Sequence, residues 1–211
     1  MLTTTAQIAS VGLRAAPTRL SARLEPGVHG DALRTFERAR ETFVSGRRID
    51  MGGLAADLGV DRTSVFRWVG NRDALLTEVL WSLAVPTLVQ AERATQDARG
   101  AERVAALLSR FATDLIEASY FRIFLTREPA RALRLLTTKA SPIQQRYLAT
   151  TEWLIHDHLG EAPFEGAIDP HALAYLCVRV SESFTYADLI TGEPPSPDAA
   201  RSAFRHLLRV E

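Results

Sequence analysis

Between Arg62 and Trp68 the sequence sets two arginines, two hydroxyls and two aromatic rings in seven residues, Arg62-Thr63-Ser64-Val65-Phe66-Arg67-Trp68. Guanidinium groups donate in pairs to guanine edges or phosphates, hydroxyls bond to either, and an aromatic ring can lie against a sugar or a thymine methyl. That is the chemistry of holding a nucleic acid. The groups that make or break bonds are missing from the sequence: there is no Gly-x-Ser-x-Gly elbow, no phosphate-cradling glycine loop and no His-Glu-x-x-His. His156 and His158, two apart, fall on different sides of a helix and form no chelating pair. Cys177 stands in an apolar helical stretch and reads as buried rather than nucleophilic. No catalytic set, metal set or cofactor motif is read.

The elements that must position the arginines are legible around them. Leu54, Ala55 and Leu58 give a short helix one apolar face, Gly59 stops it by tolerating positive φ, and Asp61 caps the next helix, running to about Val69. Val65 and Val69, at i and i+4, face back onto the first helix, which turns Arg62, Thr63, Phe66 and Arg67 outward. A major groove about 12 Å wide admits one such helix. By spacing alone, any pair of helices joined by a glycine turn would look the same. Upstream, Leu33, Phe36, Ala39 and Phe43 recur at helical spacing from Asp31 to near Gly46, and Asp50 can cap the helix that follows. Gly52 and Gly53 lower the helicity of its start by about 1 kcal/mol each. Gly70 and Asn71 break and recap the chain, and a long helix follows through Leu75, Leu76, Val79, Leu80, Leu83 and Leu88, with Pro86 placed where it can kink the helix.

The run from Leu54 to Leu76, with the helix from Asp31 before it, resembles the DNA-binding domain of the TetR family of one-component transcriptional regulators. Gly59-Val60-Asp61 and Asn71-Arg72-Asp73-Ala74-Leu75-Leu76 carry the likeness, over residues 31–80 by motif and beyond them by length and helical pattern. The resemblance implies an all-α fold, a three-helix helix-turn-helix domain followed by a larger helical ligand-binding and dimerisation domain. It implies a homodimer on double-stranded operator DNA, most simply a repressor released by a small effector. Arg48, Arg62, Thr63, Ser64, Phe66, Arg67, Trp68 and Arg72 are the expected DNA contacts, with Trp68 and Arg72 on phosphates. Phe66 departs from the family's usual tyrosine and cannot donate a hydroxyl to a phosphate. Arg72 replaces the usual lysine, which keeps the charge and adds planar donors.

Length and composition agree with a soluble helical protein. The 211 residues, 46% hydrophobic, are enough to bury one or two cores, and amphipathic stretches occupy roughly 101–118, 120–138, 142–159, 170–191 and 197–209 with no strand-like alternation. The 25 basic and 25 acidic residues cancel, so any charged site is local. Residues 1–76 hold 11 Arg/Lys against 8 Asp/Glu, leaving 14 against 17 in the remainder. One cysteine excludes an internal disulfide framework, no apolar run approaches a spanning helix, and the start lacks the pattern of a signal peptide. The expected location is the cytoplasm, with no membrane role.

The expected division is a basic flexible arm at 1–30 carrying Arg14, Arg19 and Arg23, the DNA-binding domain at 31–76, and the helical body at 77–211. The arm reads either as a DNA contact or as an uninvolved tail. In the body, Arg179, Glu182, Ser183 and Tyr186 fall at i, i+3, i+4 and i+7, a polar stripe that must face water, a partner or a cavity. The expected effector residues are Phe111, Phe124, Tyr147, Trp153, Arg179, Ser183 and Tyr186, each also readable as core, and Arg179 and Glu182 are equally readable as an intrahelical pair or dimer contacts. The stretch 178–192 resembles regulators that respond to γ-lactone quorum-sensing molecules (QsdR-like). The rival readings are a helical interaction protein without a DNA role and a helical-bundle enzyme.

Overall fold

Helix starts in this chain are set by side chains that accept from the backbone three residues on. Thr18 accepts from Ser21 N, Asp50 from Gly53 N, Asp61 from Ser64 N, Asn71 from Ala74 N, Asp169 from Ala172 N and Ser196 from Ala199 N. Each satisfies an amide that the helix itself leaves without a partner. The computed structural model describes residues 4–160 and 168–210. Its helices are α1 (Thr4–Ala15), α2 (Arg19–Arg23), α3 (Gly30–Val44), α4 (Met51–Leu58), α5 (Arg62–Val69), α6 (Arg72–Ala94), α7 (Gly100–Glu117), α8 (Ser119–Arg127), α9 (Pro129–Thr137), α10 (Ile143–Leu159), α11 (Pro170–Thr185), α12 (Ala187–Ile190) and α13 (Pro197–Leu207). No strand occurs among the described residues.

Two compact units form. One comprises Ala16–Ala84 and Ser119–Gln144, and the other residues 4–15, Val85–Ala118, 145–160 and 168–210. In the first unit α4 and α5 pack on α3, with Leu54, Ala55, Val65 and Val69 buried between them. Arg38 of α3 donates from Nε to Asp57 of α4 at 2.9 Å, a tie across the exposed edge. Phe43, only 4% exposed, meets Tyr120 and Phe124 of α8 edge-on at ring-centroid distances of 5.9 and 5.5 Å. Burial of one such ring contributes about 2 kcal/mol. In the second unit α7, α11 and α13 pack together over Leu107, Leu108, Phe111, Leu173, Cys177 and Phe204.

The division along the chain differs from the sequence reading. Helices α8 and α9 lie in the same unit as the helix-turn-helix, because the Phe43 to Phe124 contact joins residues 81 apart, beyond what periodicity can register. The stretch read as an arm carries α1 and α2, while its first three residues, and most of the interval between the helical stretches read at 142–159 and 170–191, lie outside the described residues. The helix expected over 170–191 is broken at Tyr186 into α11 and α12. Helix α6 runs through Pro86 without interruption and, among the described residues, is the one helix long and apolar enough to cross a membrane, although most of it is buried in the protein.

Candidate nucleic-acid interface

Helix α4 begins at Met51 in spite of Gly52 and Gly53, because Asp50 accepts from Gly53 N at 2.7 Å. A Cβ on Gly52 would meet the same Asp50 oxygen at 3.1 Å, so the glycine leaves room for its own cap. Gly59 ends the helix at φ 68° and ψ 33°, the left-handed conformation that a side chain disfavours. Asp61 then starts α5, accepting from the Ser64 hydroxyl at 2.7 Å and its amide at 2.8 Å. Those bonds, the hydroxyl first, hold the Asp61 carboxyl below its ordinary range. Carboxylates at the starts of both helices stay ionised and complement the helix dipoles.

Val65 and Val69 are fully buried, and their phase turns Arg62, Thr63, Phe66 and Arg67 to the surface. The Arg62 guanidinium lies 5.4 Å from the centre of the Phe66 ring, and Arg67 Nη2 donates to Ser64 Oγ at 3.3 Å. Ser64 and Trp68 are half-buried. The outward face of α5 therefore offers two guanidinium groups, a hydroxyl and a ring within two turns.

One of the expected contacts is engaged elsewhere. Arg72, expected on a phosphate, donates from Nε to Ile49 O at 2.5 Å and from both terminal nitrogens to Glu128, at 2.6 and 2.5 Å. Both side chains are 13% exposed, so the fork that would hold a phosphate is occupied by a carboxylate. Arg48 is exposed, with Nε 3.7 Å from the same Glu128. Arg72 above all keeps the Glu128 carboxyl below its ordinary range. Beside it, Arg131 and Arg134 both reach Asp73, and their charges outweigh the burial that opposes ionisation there. Arg23, in the arm read either as a DNA contact or as an uninvolved tail, donates from Nη1 to Arg67 O at 2.6 Å and Trp68 O at 2.7 Å. No local pattern marks that bond, since 44 residues separate Arg23 from Arg67.

The expected effector residues also divide. The Phe111 and Tyr147 rings meet at a tilt of 55° with centroids 5.4 Å apart, the Tyr147 hydroxyl donates to Ser181 Oγ at 3.3 Å, and Tyr186 is 6% exposed, all in the second unit with the half-buried Trp153. Burial raises the Tyr147 and Tyr186 hydroxyls well above their ordinary values. Phe124 belongs to the first unit, against Phe43. The polar stripe splits: Arg179 pairs with Glu182 at 2.7 Å, Glu182 is buried, and Ser183 faces outward with its hydroxyl on Arg179 O. Sequence reading missed Thr150 and Thr151, one turn past Tyr147, whose fully buried Oγ1 atoms make no hydrogen bond. Among the described residues no group of three His, Cys, Asp or Glu could hold a metal ion.

Residues 99–209, more than half of the chain, match the family model for the tetracyclin repressor-like C-terminal domain. Two solved structures match the chain. The transcriptional repressor QsdR of R. erythropolis, from the TetR family, is 25% identical, with a TM-score of 0.69 over 84% of this chain and 94% of that one. The TetR-family regulator PfmR of Thermus thermophilus is 16% identical, with a TM-score of 0.42 over 83% and 97% of the two chains. No curated protein matches.

Proposed function

The chain belongs to the TetR family of transcriptional regulators, a ligand-responsive and non-enzymatic class, and we propose that it is a cytoplasmic homodimeric repressor of DNA. The observation that carries this reading is the outward face of α5, where Arg62, Thr63 and Arg67 stand opposite the buried Val65 and Val69. Exposed donors on a capped helix following a glycine turn suit base edges in a major groove. A single module of this size makes few contacts, so two copies on paired half-sites give the specificity a repressor needs. The repressor assignment is supported by the likeness to QsdR.

The proposed effector is small and mostly apolar, with one or two acceptors, and a lactone is the leading class from the resemblance of residues 178–192. Its proposed residues are Phe111, Tyr147, Trp153, Arg179, Ser183 and Tyr186, to which Thr150 and Thr151 add two buried donors without partners. A ligand carbonyl there would remove the cost of leaving a hydroxyl unbonded, roughly 1–3 kcal/mol each. The effector acts by favouring one state of the protein over the other, and α6, continuous from Arg72 to Ala94 through both sets of residues, is the proposed carrier.

Selection of duplexes from a random pool by the purified chain, followed by binding titrations at several salt concentrations, tests the reading. The expected result is a palindromic site bound far more tightly than random duplex, with affinity falling steeply as salt rises. Failure to enrich any sequence, with flat and negligible binding to random DNA, would leave the helical interaction protein as the better account. On the enriched site, simple γ-lactones should release the protein, and Arg179→Ala should blunt that release while leaving DNA binding intact. Release at wild-type lactone concentrations would make Arg179 a structural residue paired to Glu182.

A further inference from the structure

A helix of eight residues leaves its last carbonyls without intrahelical donors, and at the end of α5 Phe66 O is taken by Gly70 N at 2.9 Å. The next two carbonyls, of Arg67 and Trp68, both accept from Arg23 Nη1. Arg23 closes α2, a single turn held in place independently. Thr18 and Ser21 form a reciprocal capping box at its start, Thr18 Oγ1 donates to Glu78 of α6 at 2.6 Å, and Leu20 is 4% exposed. The cation therefore arrives from a fixed point. Behind it lies a groove of about 150 Å³, lined by Leu20, Arg23, Phe66, Trp68 and Gly70 among others, and Gly70 takes φ 77° and ψ −147°, a turn open chiefly to glycine. The end of α5 is thus set by a bond from α2 and by one glycine.

We infer that Arg23 is a positioning residue for DNA reading: its guanidinium clamps the C-terminal end of α5 and fixes the orientation of Arg62 and Arg67 without itself touching DNA. The inference rests on α5 being the DNA-reading helix. A positive charge at a helix C-terminus is favourable, and a charged donor to two carbonyls outweighs the neutral bonds that water would supply. With Nη1 held by two carbonyl oxygens, the guanidinium is anchored at the helix end and is assigned no phosphate. Loss of the clamp leaves the base-reading side chains in place on a helix whose end is free to fray.

The test compares Arg23→Ala and Arg23→Lys with the wild-type chain on the duplex that the wild type selects and on random duplex, at several salt concentrations, with amide hydrogen exchange read along α5. Arg23→Ala should bind the selected duplex about tenfold more weakly, with the salt slope and random-duplex affinity unchanged, and with faster exchange confined to the last turn of α5 and Gly70. Arg23→Lys should recover most of the affinity, because an ammonium still donates to both carbonyls. Equal weakening on both duplexes, with a slope shallower by about one unit, would make Arg23 a phosphate contact and overturn the clamp. Unchanged affinity on the selected duplex would overturn it as well. If the wild type selects no duplex, the DNA-reading function itself fails, a result distinct from a clamp failure on a functioning regulator.

Discussion

Four arginines on or near α5, the helix proposed to read DNA, have different work because their guanidinium groups end in different places. Arg62 and Arg67 reach solvent on α5, whereas Arg23 ends on backbone carbonyls and Arg72 on Glu128 and Ile49 O. Arg67→Ala should cost about 1–3 kcal/mol of affinity on the selected duplex and relax its sequence preference, measured by competition among single-base variants. Arg72→Ala should act on stability instead: it leaves Glu128 without its bidentate partner, at a cost of about 2 kcal/mol in denaturant unfolding. A change in salt slope without loss of stability would return Arg72 to the phosphates. Which side chains α5 turns outward was legible from the phase of Val65 and Val69. Which nearby arginines are engaged elsewhere was not, because the partners of Arg23 and Arg72 lie 44 and 56 residues away along the chain. Cys177 illustrates a residue read correctly from its neighbours: it is 1% exposed, and burial pushes its thiol up to about 12. It should resist alkylation at pH 8 in the native protein and react fully in denaturant.

At the scale of elements, the helix-turn-helix is defined by its punctuation. Asp50, Gly59, Asp61 and Gly70 each do a job that is visible in the sequence, and the boundaries of α4 and α5 follow from them. Gly59→Ala isolates one of these jobs, since a Cβ there would meet open space and only the positive φ opposes it. It should cost about 1 kcal/mol, lowering the melting temperature by several degrees without changing what the folded protein binds. A loss of affinity larger than the loss of stability would show that the turn also contacts DNA. The places where the sequence misled lack such punctuation or depend on distant packing. No glycine or proline marks the break at Tyr186, and the attachment of α8 to α3 depends on Phe43 meeting Tyr120 and Phe124. The short helix α2 was hidden differently: its five residues are too few to show a period, and it is held by its capping box, the buried Leu20 and long-range bonds to Glu78 and the end of α5.

For the whole molecule, the proposed function needs two copies of the α5 face held at a fixed spacing, so the surface that would join the copies matters as much as the one proposed to read DNA. Helix α11 offers a face for that role. Tyr175 is 50% exposed and Leu176 39% exposed, large apolar side chains open on the helix that also turns Ser183 outward. The Arg179 guanidinium lies 5.5 Å from the centre of the Tyr175 ring, which stiffens the patch and leaves its rim charged, a composition suited to a subunit contact. Leu176→Glu on this face should shift the protein from dimer to monomer in sedimentation at micromolar concentration. Because the side chain is exposed in the single chain, the melting transition of the monomer should survive. The variant should lose most of its affinity for the palindromic duplex while its binding to random duplex, driven by phosphate contacts, falls little. A variant that remains dimeric with full operator affinity would exclude this face of α11 from the dimer contact and move the search to other exposed surfaces of the helical body.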